Sequence, residues 1–180
     1  KGVVGVFGDR LHEYTVCKDK PFLKQYEEIR KLGKTVGGAT ENGIWVFFKR
    51  AFANVADYSY DHLFCYSDMQ AGHGQLYGHD HQMSNKYQWN RSISRGHKYI
   101  DVMSLINDYR KKLNPKINVF MVQTAGYNDA IIPQTTYRGA ILAGWTGNEV
   151  VYADKLVNLW DEVERWSYFC VCDLPVFFII

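Results

Sequence analysis

The sequence is short of cysteine, nearly balanced in charge, and without a long hydrophobic run or a signature of covalent catalysis. Its four cysteines, Cys17, Cys65, Cys170 and Cys172, are widely spaced except for the last pair, which argues against the disulfide framework of a small secreted domain. A reducing, cytoplasmic compartment is expected. Cys65 sits in an apolar strand pattern, where a buried free thiol is the common outcome, and "CVC" has the wrong spacing for a CxxC redox or zinc site. No apolar run reaches the roughly 18 residues that suggest a membrane span, and no signal peptide opens the chain, so no membrane partner is expected. A formal net charge of +2 is too small to argue for nucleic acid by itself. There is no GxSxG elbow, and the Gly37–Gly38 stretch lacks the GK[ST] ending of a phosphate-binding loop. "GVFGD" has too few glycines at the right spacing for a dinucleotide fingerprint.

What is present is the composition of one ordinary globular domain. The 180 residues can bury a sizeable core, with 47% hydrophobic and 22% charged residues. The 13 Tyr and 5 Trp could serve a core, an interface or base stacking. Both ends are abrupt: "KGVVGVF" begins in mid-strand and "DLPVFFII" ends on an apolar run, which suggests a piece of a longer protein.

Periodicity alternates strand and helix. "GVVGVFG" and "LHEYTV" predict two strands across a tight "GDR" turn. "PFLKQYEEIRKLG" predicts a helix with Phe22, Leu23, Tyr26, Ile29 and Leu32 on one stripe and Gly33 at its stop. The Gly-rich "TVGGAT" leads into a mostly buried helix over "ENGIWVFFKRAFANVA", and "HLFCYS" is the next strand. Residues 69–96 show no clean period and predict a long, insertion-like loop, functional or partly disordered. "GHKYIDVMSLINDYRKKLN" has helical spacing at Ile100, Met103, Ile106, Tyr109 and Leu113. "KINVFMVQT" and "YRGAILAGW" predict strands, and "TGNEVVYADKLVNLWDEVER" a closing helix. The alternation predicts a three-layer, doubly wound α/β fold with a mostly parallel sheet.

Two residues stand where such sheets build sites. Asp68 follows "LFCYS" at the carboxyl end of a strand, where it suits a cation or phosphate, or simply caps a turn. Thr40 follows Gly37, Gly38 and Ala39, which allow close backbone approach. It suits either a helix N-cap or a hydroxyl facing a hard cation such as Mg²⁺. His73, His79 and His81 lack the spacing of a helical metal site and are more simply solvated loop histidines. Lys86, Arg91, Arg95, His97 and Lys98 surround Tyr87 and Trp89, a mixture suited to phosphate neutralisation and base stacking on single-stranded nucleic acid.

These segments, in the order "VVGVFGDRLHEYTV", "GGAT", "LFCYSDMQ", "YRKKLNPKINVFMVQTAG" and "YRGAILAGWTG", resemble the von Willebrand factor A-like domain of the Ro ribonucleoprotein family, the one with a TROVE module. The resemblance spans about residues 2–162. A related group of uncharacterised proteins from plants and large viruses shares "SDMQ" and "GW". The resemblance implies a metal-ion-dependent adhesion site at the carboxyl edge of a Rossmann-like sheet, with Thr40 and Asp68 as its Thr and later Asp. The family's Asp-x-Ser-x-Ser motif is missing. "ADYSYD", with Asp57, Ser59 and Asp61, lies in the wrong order and has Asp where the third ligand should be Ser. The family's first strand and first helix would lie upstream of Lys1, so the chain resembles a partial domain with a degenerate or incomplete site. Mg²⁺ or another divalent cation is implied for the full-length protein, with weak or absent binding here.

Two functional classes follow. One is a non-enzymatic binding module of a Ro-like RNA-binding protein, holding a small non-coding RNA or a protein partner with help from upstream domains. Its RNA contacts would come from Lys86, Tyr87, Trp89, Arg91, Arg95 and Lys98. The other is a Mg²⁺-dependent phosphoryl hydrolase, which needs a second strand-end carboxylate and a positioned base. Thr124 and Gln123 after "NVFMV" supply neither, so the binding module is preferred.

Overall fold

The computed structural model describes residues 2–38, 40–68, 87–90, 98–125, 132–133, 136–144 and 146–173, with the side chains of 40–41, 88–90, 98–99 and 167–173 left out of the description. The chain is mixed α/β. Its elements are β1 (Val3–Phe7), β2 (Leu11–Thr15), α1 (Phe22–Gly33), α2 (Thr40–Ala53), β3 (His62–Ser67), β4 (Gln88–Asn90), β5 (Lys98–Ile100), α3 (Val102–Lys112), β6 (Asn118–Gln123), β7 (Gly139–Ala143) and α4 (Asn148–Asp173). They fall into two compact units, Lys1–Tyr60 with Gln70–Pro115, and Asp61–Met69 with Lys116–Ile180. No helix among the described residues is long and apolar enough to cross a membrane.

In the first unit, β1 and β2 form the expected antiparallel hairpin, Phe7 opposite Leu11 and Val3 opposite Thr15. Gly8 N–H donates to the Arg10 carbonyl at 2.9 Å across the turn. Helix α1 follows, but its apolar stripe is only partly used. Ile29 and Leu32 are half-buried, whereas Phe22, Leu23 and Tyr26 are exposed. The residue α1 does bury is Gln25, whose side chain bonds the Cys17 and Lys20 carbonyls at 2.9 and 2.7 Å and accepts from Cys17 N–H at 2.9 Å. A polar side chain thus satisfies the backbone of the β2–α1 connection. The core of this unit is aromatic: Trp45 and Phe48 of α2 are buried with Tyr87, Leu105, Ile106 and Tyr109.

Two expectations are corrected here. The stretch 69–96 is not irregular throughout, because β4 lies inside it and pairs antiparallel with β5. The helix expected from Gly96 begins only at Val102, after β5. Asp101 sets that start: its carboxylate accepts from Ser104 N–H at 2.9 Å and Ser104 O–H at 2.6 Å, an N-cap that competes successfully with an earlier helical turn.

The second unit holds a wholly parallel sheet in the order β3-β6-β7, with Cys65 opposite Met121 and Met121 opposite Ile141. "NVFMV" therefore does lie beside "LFCYS". Val119, Phe120, Met121 and Val122 of the central strand are all buried, which accounts for a continuous apolar run rather than an alternating one. Phe120 stacks on Phe64 at 4.8 Å and on Trp160 of α4 at 5.7 Å between ring centroids. Cys65 is a free, half-buried thiol, and burial pushes it up to about 12. Among the described residues the strands form three separate sheets, with β1–β2 and β4–β5 antiparallel, rather than the single mostly parallel sheet that alternation predicts. The local cause is turn length: short connections favour antiparallel partners, and only the segments joined by longer crossovers run parallel.

Candidate functional site

The carboxyl edge of the parallel sheet is built from three strand ends. Ser67 and Asp68 leave β3, Gln123 and Thr124 leave β6, and Gly144 leaves β7. Thr124 N–H donates to the Ser67 carbonyl at 2.9 Å, and Gly144 N–H to the Gln123 carbonyl at 3.3 Å, so the ladder continues one residue past each strand. Asp68 is half-buried at this edge, as its sequence position predicts. Gly144, at φ +116, and Gly147, at φ +84, turn the chain from β7 into α4 through conformations that favour glycine.

The residue that sequence reasoning missed at this edge is Glu149. It is buried, and its carboxylate accepts from Thr146 N–H at 2.6 Å. The N–H groups of Thr146, Glu149 itself and Gly147 hold it below its ordinary range. Burial, and then the Glu149 charge, raise the Tyr66 hydroxyl. The signal was legible as "TGNE": Thr followed three residues later by Glu is a helix-start signature, and Asn148 N–H approaches Thr146 Oγ1 at 3.4 Å. The Glu149 carboxylate is thus engaged in starting α4.

Thr40 belongs to the first unit and Asp68 to the second. Thr40 is the first residue of α2, and its side chain lies outside the description. Its corner is ordered by Asp9. Asp9 N–H donates to the Gly37 carbonyl at 3.2 Å, and Gly37 N–H returns a bond to Asp9 Oδ1 at 2.6 Å. That bond, with the neighbouring Arg10, lowers the Asp9 carboxyl below its ordinary value. The approach is so close that a Cβ on Gly8 would stand 2.0 Å from the Gly37 carbonyl oxygen. The small residues here thus serve contact between the β1–β2 turn and the Gly-rich connection. Asn42 is buried beside it and donates to the Asp9 carbonyl at 3.4 Å, while its Oδ1 has no partner among the described residues.

Asp9 is engaged by Gly37 and Arg10, Glu149 by Thr146, and no three His, Cys, Asp or Glu side chains gather among the described residues. His73, His79 and His81 lie outside the described residues.

Of the basic and aromatic set, Lys86, Arg91 and Arg95 also lie outside the described residues. Tyr87 is placed, but in the core rather than on a stacking surface. Its ring lies 5.9 Å from Trp45 and 6.2 Å from Phe52, and its hydroxyl donates to Asp108 at 2.6 Å. Burial, then Asp108, pushes that hydroxyl up to about 12. The β4–β5 ribbon brings two members together: Trp89 stands opposite Tyr99, and Asn90 opposite Lys98.

The fold is thus that of a mixed α/β protein with a parallel sheet and a carboxylate at its carboxyl edge. Comparison with protein-family models, curated proteins and solved structures returned no match.

Proposed function

We propose that the chain is a non-enzymatic binding module similar to the von Willebrand factor A-like domain of the Ro ribonucleoproteins. On this reading it is a partial, doubly wound domain with an incomplete metal-ion-dependent adhesion site, working in the cytoplasm on a single-stranded region of a small non-coding RNA. The observation that supports it most is the β4–β5 ribbon, whose register sets Trp89 opposite Tyr99 and Asn90 beside Lys98. The ribbon carries two aromatic residues at one register position and a lysine at the next, on its opposite face, residue types that suit base stacking and phosphate neutralisation. Arg91 adjoins the same ribbon in sequence. Tyr87 drops out of the stacking set because its ring is buried.

Support for binding over hydrolysis comes from the parallel sheet. Asp68 follows β3, β6 ends at Gln123 with Thr124 next, and the Glu149 carboxylate accepts from Thr146 N–H. A metal-dependent hydrolase needs a further acid and a positioned base at such an edge, and the described strand ends supply Gln123 and Thr124 there.

Fluorescence anisotropy with single-stranded RNA at two salt concentrations tests the proposal. Affinity should fall as salt rises, and Lys98→Ala should lower the salt slope by about 0.7 for one lost phosphate contact. Trp89→Ala should weaken binding by about 1–3 kcal/mol if a base stacks there. Affinity that persists unchanged when Lys86, Arg91, Arg95 and Lys98 all become Ala would remove this ribbon from the binding surface.

A further inference from the structure

Helix α4 packs one face against its sheet and leaves another bare. On the packed face Ala153 is buried, Trp160 stacks on Phe120, and Glu164 and Asp161 bind Arg138. On the bare face Tyr152, Leu159, Val163 and Trp166 are 59%, 53%, 58% and 71% exposed, and half-buried Leu156 lies between the first two. The five are spaced four, three, four and three residues apart. That is the 3.5-residue repeat of a helix seam, a narrower pattern than the face a helix presents to its own sheet. Four large apolar side chains in one exposed line are also more than scattered surface residues need explaining.

The charges beside the seam identify its partner. Lys155 and Glu162 are exposed, seven residues apart and of opposite sign, each immediately preceding a seam residue. In a parallel pair of identical helices these positions would meet Trp160 and Ser167, giving no charge pair. In an antiparallel pair, Leu156 meets Leu159 of a second copy and Val163 meets Tyr152. Lys155 then faces Glu162 of the second copy, and the two-fold axis repeats the contact. Apolar spacing and charge order agree only in the antiparallel arrangement.

We propose that α4 is a self-association surface, pairing antiparallel with α4 of a second copy through Tyr152, Leu156, Leu159 and Val163, with reciprocal Lys155–Glu162 contacts. Burial of the seam supplies the affinity, and the charge pairs fix direction and register. This surface is independent of the RNA reading.

Sedimentation equilibrium of the 180-residue chain across its soluble concentration range is the test. A monomer–dimer equilibrium is expected. Lys155→Glu and Glu162→Lys should each weaken it about tenfold or more by placing like charges opposite one another. The combined K155E/E162K exchange should restore it, because the reciprocal pairs reform with their signs swapped. Leu159→Glu should abolish it. The three substitutions in these four variants are at exposed positions, and far-UV circular dichroism shows whether each variant is folded. A chain that stays monomeric throughout, or a dimer that neither single reversal weakens, would overturn the proposal.

Discussion

Arg138 shows how one residue can hold an element in place. Its side chain is buried at the start of β7, where Nε donates to Asn118 Oδ1 at 2.9 Å, Nη1 to Glu164 at 2.8 Å and Nη2 to Asp161 at 2.7 Å. Three partners use the guanidinium fork as no lysine could. Glu164 also accepts from Lys116 at 2.8 Å and Tyr137 at 2.7 Å. Lys116, then Arg138 and Tyr137, hold its carboxyl down at about 2, against an ordinary 4.5. Because the folded value is the lower one, Glu164 contributes stability that is present above about pH 4.5 and lost as pH falls toward 2. Urea midpoints measured across that window should therefore drop for the parent chain, and drop less steeply for Glu164→Gln. Equal slopes would mean that Glu164 is not the group responsible. Gly43 makes a second residue-scale case. A Cβ there would lie 2.6 Å from Phe7 Cβ, so Gly43→Ala should destabilise by about 1–3 kcal/mol through overpacking, despite a gain of about 1 kcal/mol in helix propensity. Neutral or increased stability in urea denaturation would refute it.

At the scale of elements, α3 shows local chemistry overriding period. Ile100 fits the helical spacing of Met103, Ile106 and Tyr109, yet it ends β5, because Asp101 N–H bonds the Tyr87 carbonyl at 2.7 Å while its carboxylate caps the helix. Asp101→Ala should cost about 1 kcal/mol in chemical denaturation, the usual worth of an N-cap, and Asp101→Asn should recover most of it. A loss confined to neither variant would place the helix start elsewhere. Helix α1 teaches the converse: its amphipathic period is right, but Phe22, Leu23 and Tyr26 remain exposed. A stripe specifies which side chains share a face, and only a neighbour decides whether that face is covered.

For the whole chain, the metal question turns on how many donors the protein supplies. Thr40 and Asp68 are two oxygen ligands, which leave most of a six-coordinate shell to water. Calorimetry with Mg²⁺ and Mn²⁺ on the 180-residue chain should show weak binding. Micromolar affinity abolished by Asp68→Ala would sink this prediction and imply a fuller ligand set.

The sequence by itself determined the hairpin at Gly8–Arg10, the helical or extended character of the long periodic segments, the pairing of "LFCYS" with "NVFMV", and Asp68 at a strand end. These are set by interactions within a few residues, or by an apolar run long enough to demand burial on both faces. Tertiary structure alone decided the rest. Asp9 binds Gly37 across 28 residues, Arg138 reaches Glu164 across 26, and Tyr87 enters the core although its basic neighbours in sequence suggested a binding surface. Three-residue strands such as β4 are too short to show alternation and exist only because β5 supplies the matching backbone donors and acceptors. A residue's type announces the bonds it can make; which of them it makes depends on chain segments that no local window contains.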